Sequence, residues 1–136
     1  MIRTPLVAVG FAAVLLCGAE AASAFLTANT IDAHATYTRD GARVRATGPI
    51  GCTREERISI RVTVTQSASG ARARESWKGR CTGELQHWQV RAHARRGTLF
   101  QTGRGRVCAV ATTRSGDRVT DTRKWCERVQ VSGGFG

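Results

Sequence analysis

The sequence predicts an all-β domain, an immunoglobulin-like antiparallel β-sandwich of about eight short strands with two disulfides, behind an N-terminal signal peptide. Three observations lead there. Apolar and polar residues alternate with a period of two along most of the chain, the pattern of strands buried on one face. Turn residues punctuate that pattern every 8 to 12 residues or so, the spacing of a sandwich or barrel. Four cysteines follow a secretory start, an even set bound for an oxidising compartment.

Residues 1–24 read as the signal peptide. Arg3 opens the segment, Leu6 to Leu16 is apolar, and Ala22-Ser23-Ala24 supplies the small residues a signal peptidase needs. The apolar run is short of the roughly 20 residues that span a bilayer. An uncleaved anchor and a lipoprotein through Cys17 are the weaker alternatives, the second because Leu16 stands where a small residue belongs. The domain is then 25–136, of a size that buries about two-thirds of its unfolded surface.

Within it, Ile31, Ala33, Ala35 and Tyr37 alternate with polar residues before Asp40-Gly41, a hairpin signal. The chain returns through Ala42, Val44 and Ala46. The clearest strand is Arg57 to Thr65, with Ile58, Ile60, Val62 and Val64 on one face and arginine, serine and threonine on the other. Ala71 to Lys78 is its expected return. Further strands are expected at Leu85 to Ala94, where a phase slip before Trp88 suggests a bulge, and at Thr98 to Thr102. Arg106 to Arg114, Arg118 to Cys126 and Arg128 to Val131 complete the set. The glycine-rich tail, 132–136, is expected to be mobile.

Paired residues in a hairpin have a constant sum of numbers. The turn at Ser115 to Asp117 predicts a sum near that of Cys108 and Cys126, and the Arg57 to Lys78 hairpin predicts one near that of Cys52 and Cys81. Local strand pairing therefore favours those two disulfides over the other connectivities. Trp77, Trp88 and Trp125 fall beside this framework, and core packing explains them better than an exposed stacking platform.

Lysine and arginine number 21 against 10 aspartates and glutamates, a net charge of +11 that draws a protein toward anionic polymers. A hairpin sum near 135 would place Arg61 opposite Arg74 and Arg57 opposite Lys78. Like charges so placed repel, and an anionic ligand would reverse the sign. Arg57, Arg61, Arg72, Arg74 and Lys78 are therefore the candidate anion-binding residues, arginine being suited by its bidentate fork. The alternative is a solvated arginine-rich surface produced by codon bias.

Catalytic patterns are weaker. His34, His87 and His93 belong to no recognised nucleophile or metal motif, the cysteines lack zinc spacing, and no phosphate-binding loop or nucleophile elbow occurs. Glu55 and Glu56 suit a turn capped by Thr53, and Glu75 falls on the apolar phase of its strand.

The segments Gly48 to Cys52, Ile58 to Gln66, Trp77 to Gly83, Cys108 to Arg114 and Lys124 to Cys126 resemble small secreted two-disulfide β-sandwich proteins of GC-rich Gram-positive bacteria. The resemblance covers nearly all of 25–136 and implies secretion and two disulfides. It transfers no functional residues.

The expected function is a non-enzymatic secreted binding or structural module, extracellular or held at the cell envelope through its arginines. It would be a monomer, without cofactor or metal, with an anionic polymer or cell surface as partner and no specific nucleic acid. One alternative is a small hydrolase of nucleic acid or envelope polymer using His87 or His93. Another is an inhibitor or protein-binding module presenting Gly79 to Glu84.

Overall fold

In the computed structural model, residues 26, 27 and 30–134 are described; the signal-peptide reading of 1–24 lies outside them. Seven strands are present among the described residues: β1 His34–Thr38, β2 Arg43–Gly51, β3 Arg57–Gln66, β4 Ala71–Arg80, β5 Leu85–His93, β6 Gly103–Ser115 and β7 Arg118–Gly133. The chain is all-β with the two disulfides Cys52–Cys81 and Cys108–Cys126.

The two-layer immunoglobulin-like arrangement is not what the ladder shows. All seven strands form one sheet in the order β4-β3-β6-β7-β1-β2-β5. Its two outer strands meet at an Ala73–Ala94 bridge, where the Arg95 amide donates to the Arg72 carbonyl at 2.7 Å. The sheet is thus nearly closed on itself, as right-handed twist permits when an inner face is apolar all round. A sandwich and such a curled sheet share the same alternation, so the residue pattern alone does not separate them. Neighbouring strands are antiparallel except β1 and β7, which pair in parallel through His34–Gln130 to Tyr37–Gly133.

The interior holds Ile50, Ile60, Val62, Val64, Trp88, Val107 and Val131, all essentially inaccessible. Trp88 faces Gly48 on the neighbouring strand, where a Cβ would lie 2.6 Å from the indole. The other tryptophans are half-buried against the same core. The core-packing expectation therefore holds.

Several expected elements are redrawn. Thr98 to Thr102 is not a strand. The buried Gln66 side chain holds that stretch by donating to the Gln101 carbonyl at 2.7 Å and accepting from its amide at 2.9 Å, as a backbone peptide would. The two last expected strands are one, β7. The tail is not free as far as Gly134, since Ser132 and Gly133 pair with β1 and the Gly134 amide donates to Tyr37; 135–136 lie outside the described residues. The β2–β5 register runs unbroken from Arg43–His93 to Gly51–Leu85, so Leu85 is simply exposed and no bulge is needed.

The Arg39–Gly41 turn joins β1 and β2 as Asp40-Gly41 predicts, with Arg39, Asp40 and Gly41 all at positive φ. Before β1, Leu26, Thr27 and Thr30 each contact β2 or β7, Thr27 pairing with Gly51. The Leu26 amide donates to Asp121 Oδ2 at 3.1 Å, and Trp125 Nε1 donates to the Thr30 carbonyl at 3.3 Å.

Candidate anion-binding site

β3 lies between β4 and β6, and its odd-numbered residues point away from the core because the even ones, Ile58 to Val64, fill it. Directly opposed residues share a face, so the registers define what stands outside. The β3–β4 register has Arg57 opposite Arg80, Ser59 opposite Lys78, Arg61 opposite Ser76, Thr63 opposite Arg74 and Thr65 opposite Arg72. This is two residues away from the expected hairpin sum, because the β3–β4 turn pairs Gln66 with Ala71.

The correction rearranges the predicted ladder. Arg61 does not face Arg74, and Arg57 does not face Lys78. Arg57 instead stands between Arg80 on β4 and Arg114 on β6, so three arginines cross the sheet in one row. At about 5 Å in water each such neighbour costs about 0.8 kcal/mol, an estimate that applies before the long side chains splay. The first disulfide survives for a different reason than the hairpin sum suggests. Cys81 pairs with the Thr53 to Glu56 turn through the Glu55 and Cys81 amides, and that turn folds Cys52 back to its partner. A backbone bond from the Glu56 amide to the Thr53 carbonyl closes the turn.

Arg57, Arg61 and Lys78 line an open groove of about 550 Å³ together with Arg114 and the hydroxyl residues Ser59, Ser76 and Thr112. Arg72 and Arg74 lie farther along the same face, outside the groove. Beyond them Arg106 faces Arg128 across β6 and β7, and Lys124 lies opposite Val110. All of these cations are exposed.

No acidic residue shares the outward phase of β3, β4, β6 and β7 among the described residues. Glu75, Asp121 and Glu127 oppose Val62, Thr113 and Val107, all core residues. Glu75 and Glu127 are nevertheless exposed, Glu75 because β4 there is an edge without β5 beside it. The one ion pair among the described residues joins Arg123 to Asp121, away from the groove.

No protein-family model matches the chain, and no curated protein matches it by sequence. Among solved structures, a β-glucuronidase from glycoside hydrolase family 2 is similar over 82% of this chain and 12% of its own, at 14% identity and a TM-score of 0.35. The chain spans about an eighth of that enzyme's length.

The three histidines are exposed on β1 and β5, lie outside this groove, and hydrogen-bond to no carboxylate among the described residues. No group of three or more histidine, cysteine, aspartate or glutamate side chains converges there either. Sequence reasoning missed Arg80 and Arg114. Arg80 needed the hairpin register, and Arg114 needed the β3–β6 pairing, which joins residues far apart in the chain.

Proposed function

We propose that the protein is a secreted, non-enzymatic module that binds an anionic polymer, placed outside the cell or at its envelope. The observation that carries the reading is the outward face of β4-β3-β6-β7, which bears Arg57, Arg61, Arg72, Arg74 and Lys78 with Arg80, Arg106, Arg114, Lys124 and Arg128 and, among the described residues, no acidic residue. A fold that places like charges opposite one another pays a repulsion that bound phosphate, sulfate or carboxylate groups remove. The polar groove supplies hydroxyl donors beside the guanidinium groups, which suits an oxyanion-bearing chain passing across the strands. The two disulfides suit an oxidising compartment, and none of the described helices is long and apolar enough to cross a membrane.

The test is retention on an immobilised phosphate-linked envelope polymer, comparing wild type with Arg57→Glu/Arg61→Glu. Loss of retention in the variant, with unchanged circular dichroism, supports the reading. Equal retention of both proteins contradicts it and leaves the arginines a solvated surface.

A further inference from the structure

On the other half of the sheet, the outward residues of β1, β2 and β5 build a second and more confined basic site. Arg39, Arg43, Arg45 and Arg91 surround a groove of about 350 Å³, with Thr36 and Thr38 on its wall. The registers force this convergence. Thr38 opposes Arg43 and Thr36 opposes Arg45 across β1 and β2, while Arg45 opposes Arg91 across β2 and β5. Arg39 joins from the turn, whose three successive left-handed residues reverse the chain beside the groove.

Among the described residues no carboxylate lines the groove, and none of its four arginines has an ion pair. Arg43 adds a second observation. Its Nε is shielded from solvent and has no hydrogen-bond partner there, an arrangement that proteins rarely leave unsatisfied. An atom closed to solvent is closed to an anion as well, so the Nη groups of this permanently charged guanidinium, held in place by the buried Nε, are the donors that an anion in the groove would meet.

We propose that this groove is a specific site for a phosphate or sulfate group, with Arg43 as the central donor, Arg45 and Arg91 closing on the remaining oxygens, and Thr36 and Thr38 as hydroxyl donors. The site differs from the polymer-binding face in being smaller and centred on a partly buried arginine. It takes a compact oxyanion, and its binding does not depend on the other face.

The experiment is a titration of the protein followed by amide chemical shifts, using inorganic phosphate and inorganic sulfate in separate arms at constant ionic strength held with chloride. Saturable shifts in β1, β2 and β5 with either anion are expected. Affinity should fall at least tenfold in Arg43→Gln and in the more exposed Arg91→Gln, and should be unchanged in Arg57→Glu/Arg61→Glu. Arg91→Gln keeps the test valid should Arg43→Gln fold poorly. Shifts that never saturate with either anion, or equal affinity in Arg91→Gln, would overturn the proposal.

Discussion

At the residue scale, close contacts that pattern alone hides set the strongest constraints. Gly48 sits under the Trp88 indole, and a methyl group there would also meet the Thr30 carbonyl at 2.9 Å. Because the indole is locked in the core, Gly48→Ala should cost about 1–3 kcal/mol, read as a lower denaturant midpoint with an unchanged slope. Gln66 gives a second case. Gln66→Leu leaves both backbone groups of Gln101 without their partner, and should cost about 2 kcal/mol with raised amide exchange in residues 98–102. Neither role was legible in advance, since a buried glutamine in a strand reads as a polar end and a glycine before a proline reads as a turn.

Asp121 carries the pH dependence. The Leu26 amide, then the Thr122 amide and Arg123, hold its carboxyl below the ordinary aspartate range, against the opposing effect of partial burial. A carboxylate with a depressed folded pKa stabilises the fold above its unfolded pKa, and that contribution is lost as pH falls through the folded value. Protection of the Leu26 amide should therefore be full at neutral pH and should fall in the acid range below the usual aspartate pKa. Asp121→Asn should remove that pH dependence, and protection that stays constant to strong acid would contradict the assignment.

At the element scale, the strands with long clean alternation were legible and the pairings between them were not. β3 was predicted within a residue of its observed end because Ile58, Ile60, Val62 and Val64 leave one reading of its faces. The β3–β4 register shifted by two residues because a two-residue shift keeps every side chain on its own face, so alternation cannot detect it. Cys108 and Cys126 escaped that ambiguity: the β6–β7 ladder places them directly opposite one another despite a register shift between Thr113 and Arg114. Their disulfide closes 18 residues of chain and that of Cys52 with Cys81 closes 29. Replacing either pair by serines should cost about 3 kcal/mol on the chain-entropy model. Two single-disulfide variants that unfold at the wild-type denaturant midpoint would refute this.

The Glu56 carboxylate, nearly buried, accepts from Thr120 at 2.6 Å, and Thr120 in turn contacts Thr113 at 2.8 Å. This side-chain chain ties the Thr53 to Glu56 turn to β7, and explains why this turn glutamate is covered.

At the scale of the whole molecule, the all-β class and both disulfides could be read from the sequence, whereas closure of one sheet could not. Closure depends on contacts between β4 and β5 that carry no separate residue signature: Ala73 and Ala94 are small residues like many others in the chain. The candidate site was legible as an excess of arginine on one phase of β3 and β4. Its extension over β6 and β7 was not, because the sheet order is a non-local property. The same order sets the electrostatics, since acidic residues on the inward phase leave the outer face to cations alone.

The most direct test of that arrangement is the binding constant for the phosphate-linked polymer measured across a salt series. If the groove and its neighbours neutralise about three phosphates at duplex-like charge density, log K should fall with log salt at a slope near −2.7, and the slope should become shallower in Arg57→Glu/Arg61→Glu. A flat salt response, or the same slope in wild type and variant, would contradict the assignment of binding to this face.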